Sequence, residues 1–407
     1  MDMAIMAWKW PASFQPGRVN HTHINTIVVG AGAAGVGLGV ALQDYKAGEF
    51  LIVDRHCIGA SFLRWPKEMR LITPSFNTTP FGILDLNAVM LHTSVANFLG
   101  AEHPTGKQYA HYLQQAAIEC QLPVQAGIDI VQVEAPEKAG TRGRAPTPSG
   151  PGTTFRLTCR DGSVYTADNV IWAAGEFQYP RTHSFPGAAH CLHNSQIASF
   201  QELPGRDRIV IGAFESGVDA AVHLVRRGVH VTLLHGAEQL ATQEQDPSRS
   251  LSPFTRERLA AVTAERSNLR VLANHRVTEV KRERGGYTVC TVQGSFFSEH
   301  QPILATGFVG GVAPVKHLFA YRDDGNILLN EHDESTLTPG LFLAGPLVRH
   351  EHHIFCYIYK FRQRFAIVAE SVARRLGLPV PDDVAATYHA NQMRLEDLSC
   401  CGKECVC

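Results

Sequence analysis

Apolar and polar positions divide the chain into strand-length runs and amphipathic stretches. In "NTIVVGAGAAGVGLGVALQDYKAGEFLIVDR", residues 27–29 read as a buried strand and a glycine-rich turn follows. A helix then ends near Gly48, and a second strand over residues 50–53 ends in Asp54. The same order returns in "RDRIVIGAFESGVDAAVHLVRRGVHVTLLHG", with strands expected at 209–211 and 229–234. Three more apolar runs, "NVIWAAGEFQYP", "QPILATGF" and "GLFLAGP", exit at Gly175, Gly307 and Gly345, the last followed by Pro346. Ile358, Phe361, Phe365, Val368 and Val372 recur at three- and four-residue steps. That spacing predicts a helix from about Phe355, stopped by Gly377 and Pro379. Residues 134–155, rich in Pro, Gly and Thr, read as a long mobile loop inside a small meander, and Gly285-Gly286 as a hairpin turn.

Strands alternating with helices make this an α/β protein. Gly30-Ala31-Gly32-Ala33-Ala34-Gly35 is a full G-x-G-x-x-G between strand and helix. Gly30 permits the tight turn, Gly32 lets a diphosphate approach the backbone, and Gly35 lets the helix pack on the strand. The helix N-terminus offers unpaired N–H groups to phosphates. Asp54 stands where an acid holds a ribose hydroxyl. The second unit reads Gly212-Ala213-Phe214-Glu215-Ser216-Gly217. Phe214 replaces the middle glycine, and a side chain there hinders the closest approach to a diphosphate. His235 ends its second strand, where an acid would favour NADH and an arginine NADPH. The missing acid points to NADPH and leaves NADH open.

Composition bounds the rest. At roughly 150 residues per domain, 407 residues make two or three domains. The net charge of −1 shows no basic stripe and argues against nucleic acid. The longest apolar run is broken by glycines and too short for a membrane span. The N-terminus lacks the basic region of a secretory signal. Cysteines scattered through the body suit a reducing compartment, so a cytoplasmic protein is expected.

With these motifs in this order, the chain resembles the flavoproteins with two dinucleotide-binding domains. These include flavin-containing monooxygenases, thioredoxin reductases and the larger disulfide reductases. The resemblance implies two Rossmann-like three-layer domains, the NAD(P)H domain inserted into the FAD domain. The expected division is 1–204 and 313–395 for FAD, 205–312 for NAD(P)H, and 396–407 as a cysteine-rich tail. FAD would lie against Gly30, Gly32, Ala33, Ala34, Gly35, Asp54 and Arg55. The nicotinamide nucleotide, NADPH by preference, would lie against Gly212, Ser216, Gly217 and His235. Gly175 and Gly307 mark the crossings between domains, and Gly345 leads the chain to the flavin. Family members often have Gly-Asp where this chain has Gly345-Pro346, which removes the usual carboxylate contact. The superfamily often forms dimers, so a homodimer is compatible. The cluster His350, His352 and His353 reads as loop histidines with ordinary hydrogen bonds, and Cys356 as a small buried hydrophobe.

NAD(P)H would pass a hydride to FAD, and three acceptors remain open. The first is oxygen, with a small nucleophilic substrate. "CIGASFLRWPKEMRLITPSFNT", with Phe62 and Trp65 as flavin-side aromatics, resembles the segment after the FAD acid in monooxygenase-like proteins. "FPGAAHCLHNS" loosely resembles their F-x-G-x-x-x-H fingerprint, but Cys191 takes the seventh place, with His190 and His193 on either side. The second is a disulfide or soft metal ion. Neither C-x4-C after the FAD acid nor C-x-x-C near the second unit exists. Cys400, Cys401, Cys405 and Cys407 remain; "LSCCGK" resembles the paired-cysteine end of mercuric ion reductases, and thiolates are soft ligands. The third reading is a non-catalytic flavoprotein sensor, which the altered second motif would suit.

Overall fold

The computed structural model describes residues 22–77, 84–136, 154–238, 246–351 and 353–398. Strand β1 (Thr22–Val29) leads through Gly30 into helix α1 (Ala33–Asp44) and back to β2 (Phe50–Asp54). β3 (Val124–Ala126), β4 (Ile130–Glu134), β5 (Phe155–Cys159) and β6 (Val164–Trp172) complete most of a seven-stranded sheet of order β3-β2-β1-β6-β5-β4. β1 pairs in parallel with β2 and β6, whereas β4, β5 and β6 form an antiparallel meander. Of the loop expected at 134–155, residues 137–153 lie outside the described residues; its two ends join β4 to β5. The strand Leu341–Leu343 returns from far downstream to pair in parallel with β6.

Between β6 and that returning strand the chain builds a second sheet. β7 (Leu192–His193), β8 (Asp207–Ile211), β9 (His230–Leu234) and β10 (Leu269–Leu272) form it with β14 (Ile303–Leu304), in the order β10-β9-β8-β14-β7, all parallel. β11 (Val277–Glu283), β12 (Gly286–Thr291) and β13 (Gly294–Ser298) form a separate antiparallel sheet, turning at Gly285 with φ +92°. One doubly wound unit is therefore inserted into another, as the motif order predicts.

Helix α1 is buried over Ala33–Leu42, because it lies between the sheet and the helix Phe365–Arg375. The fit is close enough that a Cβ at Gly37 would stand 2.1 Å from the Phe365 ring. The helix expected from Phe355 is interrupted. A short helical turn, Ile358–Phe361, and a 3-10 turn, Arg362–Arg364, precede the regular helix. Buried polar demands explain this break. Arg362 donates to Ala88 O at 2.9 Å, and Arg364 Nε donates to the fully buried Asp333 at 3.0 Å. No described helix is long and apolar enough to cross a membrane.

Candidate active site

The first glycine turn has the geometry a diphosphate cradle needs. Gly30 has φ +114°, and a Cβ there would stand 2.4 Å from Ala173 O. A Cβ at Gly35 would stand 1.8 Å from Gly30 O, so that glycine is required for packing. Gly32 is different: nothing lies within 4 Å of its Cβ position, which leaves space above the N-terminus of α1. Asp54 braces the turn. Its Oδ2 accepts from Ala31 N at 2.9 Å, and its Oδ1 accepts from His56 N at 2.7 Å. Each oxygen keeps a second lone pair for a ribose hydroxyl. These residues fit the diphosphate and ribose of FAD.

The second turn repeats the first almost number for number. Gly212 has φ +102° with a Cβ position 2.4 Å from Ala305 O, and a Cβ at Gly217 would stand 1.8 Å from Gly212 O. Phe214 caps the helix Glu215–Arg226 with φ −103° and ψ −164°, close to the −82° and −165° of Gly32. Its ring stands 45% exposed. The substitution therefore leaves the backbone turn intact. Glu215 would oppose an anion at this helix N-terminus. Its carboxylate is engaged instead by Ser252 N and by the Thr255 hydroxyl, both at 2.5 Å, and burial pushes its carboxyl up.

Two extended crossings join the units. Gly311 N donates to Gly175 O at 2.8 Å, Val309 N to Tyr179 O at 2.9 Å, and Arg181 N to Gly307 O at 3.0 Å. Gly175 and Gly307 thus lie at opposite ends of a short antiparallel two-stranded hinge, each bonded to a residue of the other crossing. A second set of contacts also joins the units. Lys360 Nζ donates to Asp246 Oδ1 at 2.6 Å and to Ser248 Oγ at 2.8 Å, and Tyr357 OH donates to Pro247 O at 3.1 Å. This strap ties the inserted unit to the chain that follows Gly345.

A cavity of about 560 Å³ opens between these parts. Of the residues expected from sequence, Gly30, Gly32, Ala33, Ala34, Asp54, Arg55, Phe62, Trp65, Gly175, Ser216 and Pro346 line it. Gly35, Gly212 and Gly217 lie beneath the turns, and Gly307 in the hinge. Gly345, with φ +90°, backs onto Ala34. His235 lies off the cavity, where its N–H donates to Leu272 O at 2.9 Å. Cys400, Cys401, Cys405 and Cys407 lie outside the described residues, as does His352. His350 bonds Asp333 at 2.5 Å and His353 bonds Leu398 O at 2.6 Å, the ordinary roles expected of them.

Several wall residues carried no sequence signal. Gln178 accepts from Arg55 at 2.9 Å and Arg64 at 2.7 Å and donates to Ser61 at 3.0 Å, fixing the wall beside Asp54. Glu176 lines the cavity, and among the described residues none hydrogen-bonds its carboxyl. Burial pushes that carboxyl up, and the Arg349 guanidinium pulls against the shift. Arg349 donates to Pro346 O at 2.5 Å and Val348 O at 2.7 Å. Cys356, expected as a core hydrophobe, is half-buried and lines the cavity; burial pushes its thiol up. Arg276 packs against Gly236, its Cβ 3.5 Å from the Cβ position there. A cationic residue therefore does flank the end of β9, one residue past His235.

Two diphosphate turns facing one cavity define a two-nucleotide oxidoreductase. The profile of the pyridine nucleotide-disulphide oxidoreductase family matches residues 27–345, and the chain belongs to that family. FAD and NADPH are the cofactors that go with it. An uncharacterized oxidoreductase, CzcO, of Bacillus velezensis is 24% identical over 212 residues, 50% of this chain and 53% of that protein. A component of the alkyl hydroperoxide reductase of Staphylococcus epidermidis is 24% identical over 261 residues, 62% of this chain and 45% of that one. The chain thus spans about half the length of the curated relatives it matches. Among solved structures, bacillithiol disulfide reductase Bdr of Staphylococcus aureus aligns with a TM-score of 0.68 at 17% identity, covering 87% of this chain and 99% of that one. A flavin-containing monooxygenase of Stenotrophomonas maltophilia aligns at 0.63 and 16%, covering 88% and 98%. Both share the fold.

Proposed function

We propose that the protein oxidises NADPH through FAD and passes the electrons to a small molecule in the shared cavity, in the manner of a monooxygenase acting on a small nucleophile. One observation carries this reading. The Gly30–Ala34 turn, the Phe214–Ser216 turn and the residues after Gly345 line one continuous space. The first turn and Asp54 hold FAD, which supplies the two-electron chemistry. Ser216 and the adjoining helix N-terminus receive the NADPH diphosphate, and Arg276 its 2′-phosphate. Trp65, Phe177, Phe308 and Tyr357 give much of the wall an aromatic, water-excluding surface. Among the described residues the cavity holds one thiol, Cys356, and no dithiol, which favours an acceptor from solution such as oxygen.

The test is anaerobic bleaching of the flavin by NADPH, followed by rapid mixing with aerated buffer. A delayed return of the oxidised band, shortened by the right nucleophile, is expected. Immediate return with full release of hydrogen peroxide would refute the oxygen reading. A second reading, reduction of a disulfide or soft metal ion through the tail, is favoured by the bond from His353 to Leu398. That bond ties Leu398 to the residue preceding Ile354, which lines the cavity. The intact second turn weighs against a non-catalytic sensor.

A further inference from the structure

Among the described residues, one cluster brings three metal-ligating side chains together away from the cavity. Asp207, Glu299 and His300 each offer a ligand atom, and these atoms all lie within 4.8 Å of one another. Asp207 opens β8, at the end opposite the Gly212 turn. Glu299 and His300 follow β13 and lead toward β14. The cluster therefore joins two segments far apart in the chain.

Both segments are held for this meeting. Arg208, buried, donates to Gln301 O at 2.9 Å and to Pro204 O. Ser298 Oγ donates to His300 O at 2.8 Å. Gly205 has φ +95°, and a Cβ there would stand 2.6 Å from His300 Cε1, so its bare backbone is what lets the imidazole lie in this place. The ligand groups themselves are uncommitted. Among the described residues, no hydrogen bond or ion pair engages the carboxylate of Asp207 or Glu299. Arg208 feels the Asp207 charge, but its N–H groups serve the two carbonyls. His300 Nδ1 is buried and has no hydrogen-bond partner among the described residues. A buried ring nitrogen of this kind calls for a partner.

Two carboxylates this close repel unless a positive charge sits between them. A proton shared with His300 does not supply it, because no hydrogen bond or ion pair joins the imidazole to either acid. Bonds of about 2.0–2.2 Å to nitrogen and oxygen place two ligands of one ion at most about 4.4 Å apart. Small side-chain rotations therefore close the cluster on an ion. We propose that Asp207, Glu299 and His300 form a binding site for one divalent transition-metal ion of the zinc class. The two carboxylates balance its charge, and the imidazole selects it over Mg²⁺ and Ca²⁺, which take oxygen ligands. Water completes the coordination. The ion fastens the start of β8 to the segment entering β14, its parallel neighbour in the sheet. The far ends of these two strands lead to the Gly212 turn and to the Gly307 crossing. Its role is to hold them in register, and no electron passes through it. The site stands apart from the FAD and NADPH sites proposed above.

The test uses the full flavin-loaded chain, stripped with a chelator and titrated with Co²⁺, whose absorption reports its ligands. Nitrogen and oxygen ligands give weak d–d bands, whereas thiolates add an intense charge-transfer band. The parent should develop sulfur-free bands that saturate at one equivalent. Glu299→Gln and His300→Gln should each weaken this binding by about tenfold or more. Glu265→Gln, an exposed acid elsewhere on the inserted unit, should match the parent. Co²⁺ should raise the melting midpoint of the parent and not that of Glu299→Gln. Flavin content should be the same in all four proteins. The proposal is overturned if no sulfur-free bands form, if a thiolate band alone appears and so places the cobalt on cysteines, or if Glu299→Gln binds within about threefold of the parent. Glu299 is exposed, so its amide variant leaves the packing alone and keeps the test decisive even where His300→Gln fails to fold.

Discussion

Gly32→Thr separates the fold from the cofactor site. The backbone at Gly32, φ −82° and ψ −165°, is open to any residue, and nothing lies within 4 Å of the added Cβ. Threonine also matches glycine as a helix N-cap. The flavin-free protein should therefore keep its stability to within about 0.5 kcal/mol. The new side chain fills the space above the N-terminus of α1, where backbone N–H groups would meet the FAD diphosphate. Hydrogen bonds to a charged acceptor contribute about 1.5–3 kcal/mol each. Losing two weakens FAD binding by about 3–6 kcal/mol, on the order of 10² to 10⁴ in Kd. The assay is flavin fluorescence quenching on titrating apoprotein with FAD, alongside a melting curve without flavin. A Kd within about threefold of the parent, with the melting midpoint unchanged, would refute the placement of the diphosphate at this turn.

Gly35→Ala should fail in the opposite way, because its Cβ would stand 1.8 Å from Gly30 O. The flavin-free protein itself should lose about 1–3 kcal/mol or more, and an unchanged melting curve would contradict the close packing. Arg276→Ala should raise the KM for NADPH by about 10- to 100-fold, from the loss of one charge-assisted contact, and leave NADH untouched; equal effects on both would exclude a 2′-phosphate role. Glu176 supplies a pH prediction. Its carboxyl titrates above the ordinary 4.5, so it is neutral below its raised pKa and negative above it. A negative charge opposes the NADP⁺ phosphates, so Kd for NADP⁺ should rise as pH climbs through that pKa. Calorimetric titration of Glu176→Gln should show this rise flattened, and an identical profile would remove Glu176 from the site.

The glycine turns were legible because their requirement is local. Gly30 and Gly35 are excluded from bearing a Cβ by atoms a few residues away or on the adjacent strand, so spacing alone reveals them. The cavity wall is a different kind of object. Glu176 and Arg349 belong to segments far apart in the chain, and Ser248 reaches the wall only because Lys360 holds it there. No periodicity encodes such meetings. The break between Ile358–Phe361 and Phe365–Arg375 was hidden for the same reason: an apolar stripe at helical spacing runs through it, while Asp333, distant in sequence, draws Arg364 aside.

Phe214 shows where a reading by side chains misleads. By residue type, the second motif is damaged at its central position. What a diphosphate meets, however, is backbone N–H, and that backbone is set by the flanking glycines. Gly212 and Gly217 have the same clearances as Gly30 and Gly35, and Phe214 adopts torsions close to those of Gly32. The cost of the aromatic ring is therefore one of space in front of the turn. Its ring is 45% exposed, and a side chain that far from packed can turn aside without disturbing the core. The substitution should slow or select entry to the second site rather than abolish it. Phe214→Gly should then tighten NADPH binding without altering FAD content, and a loss of NADPH affinity would mean that the ring itself helps hold the nucleotide.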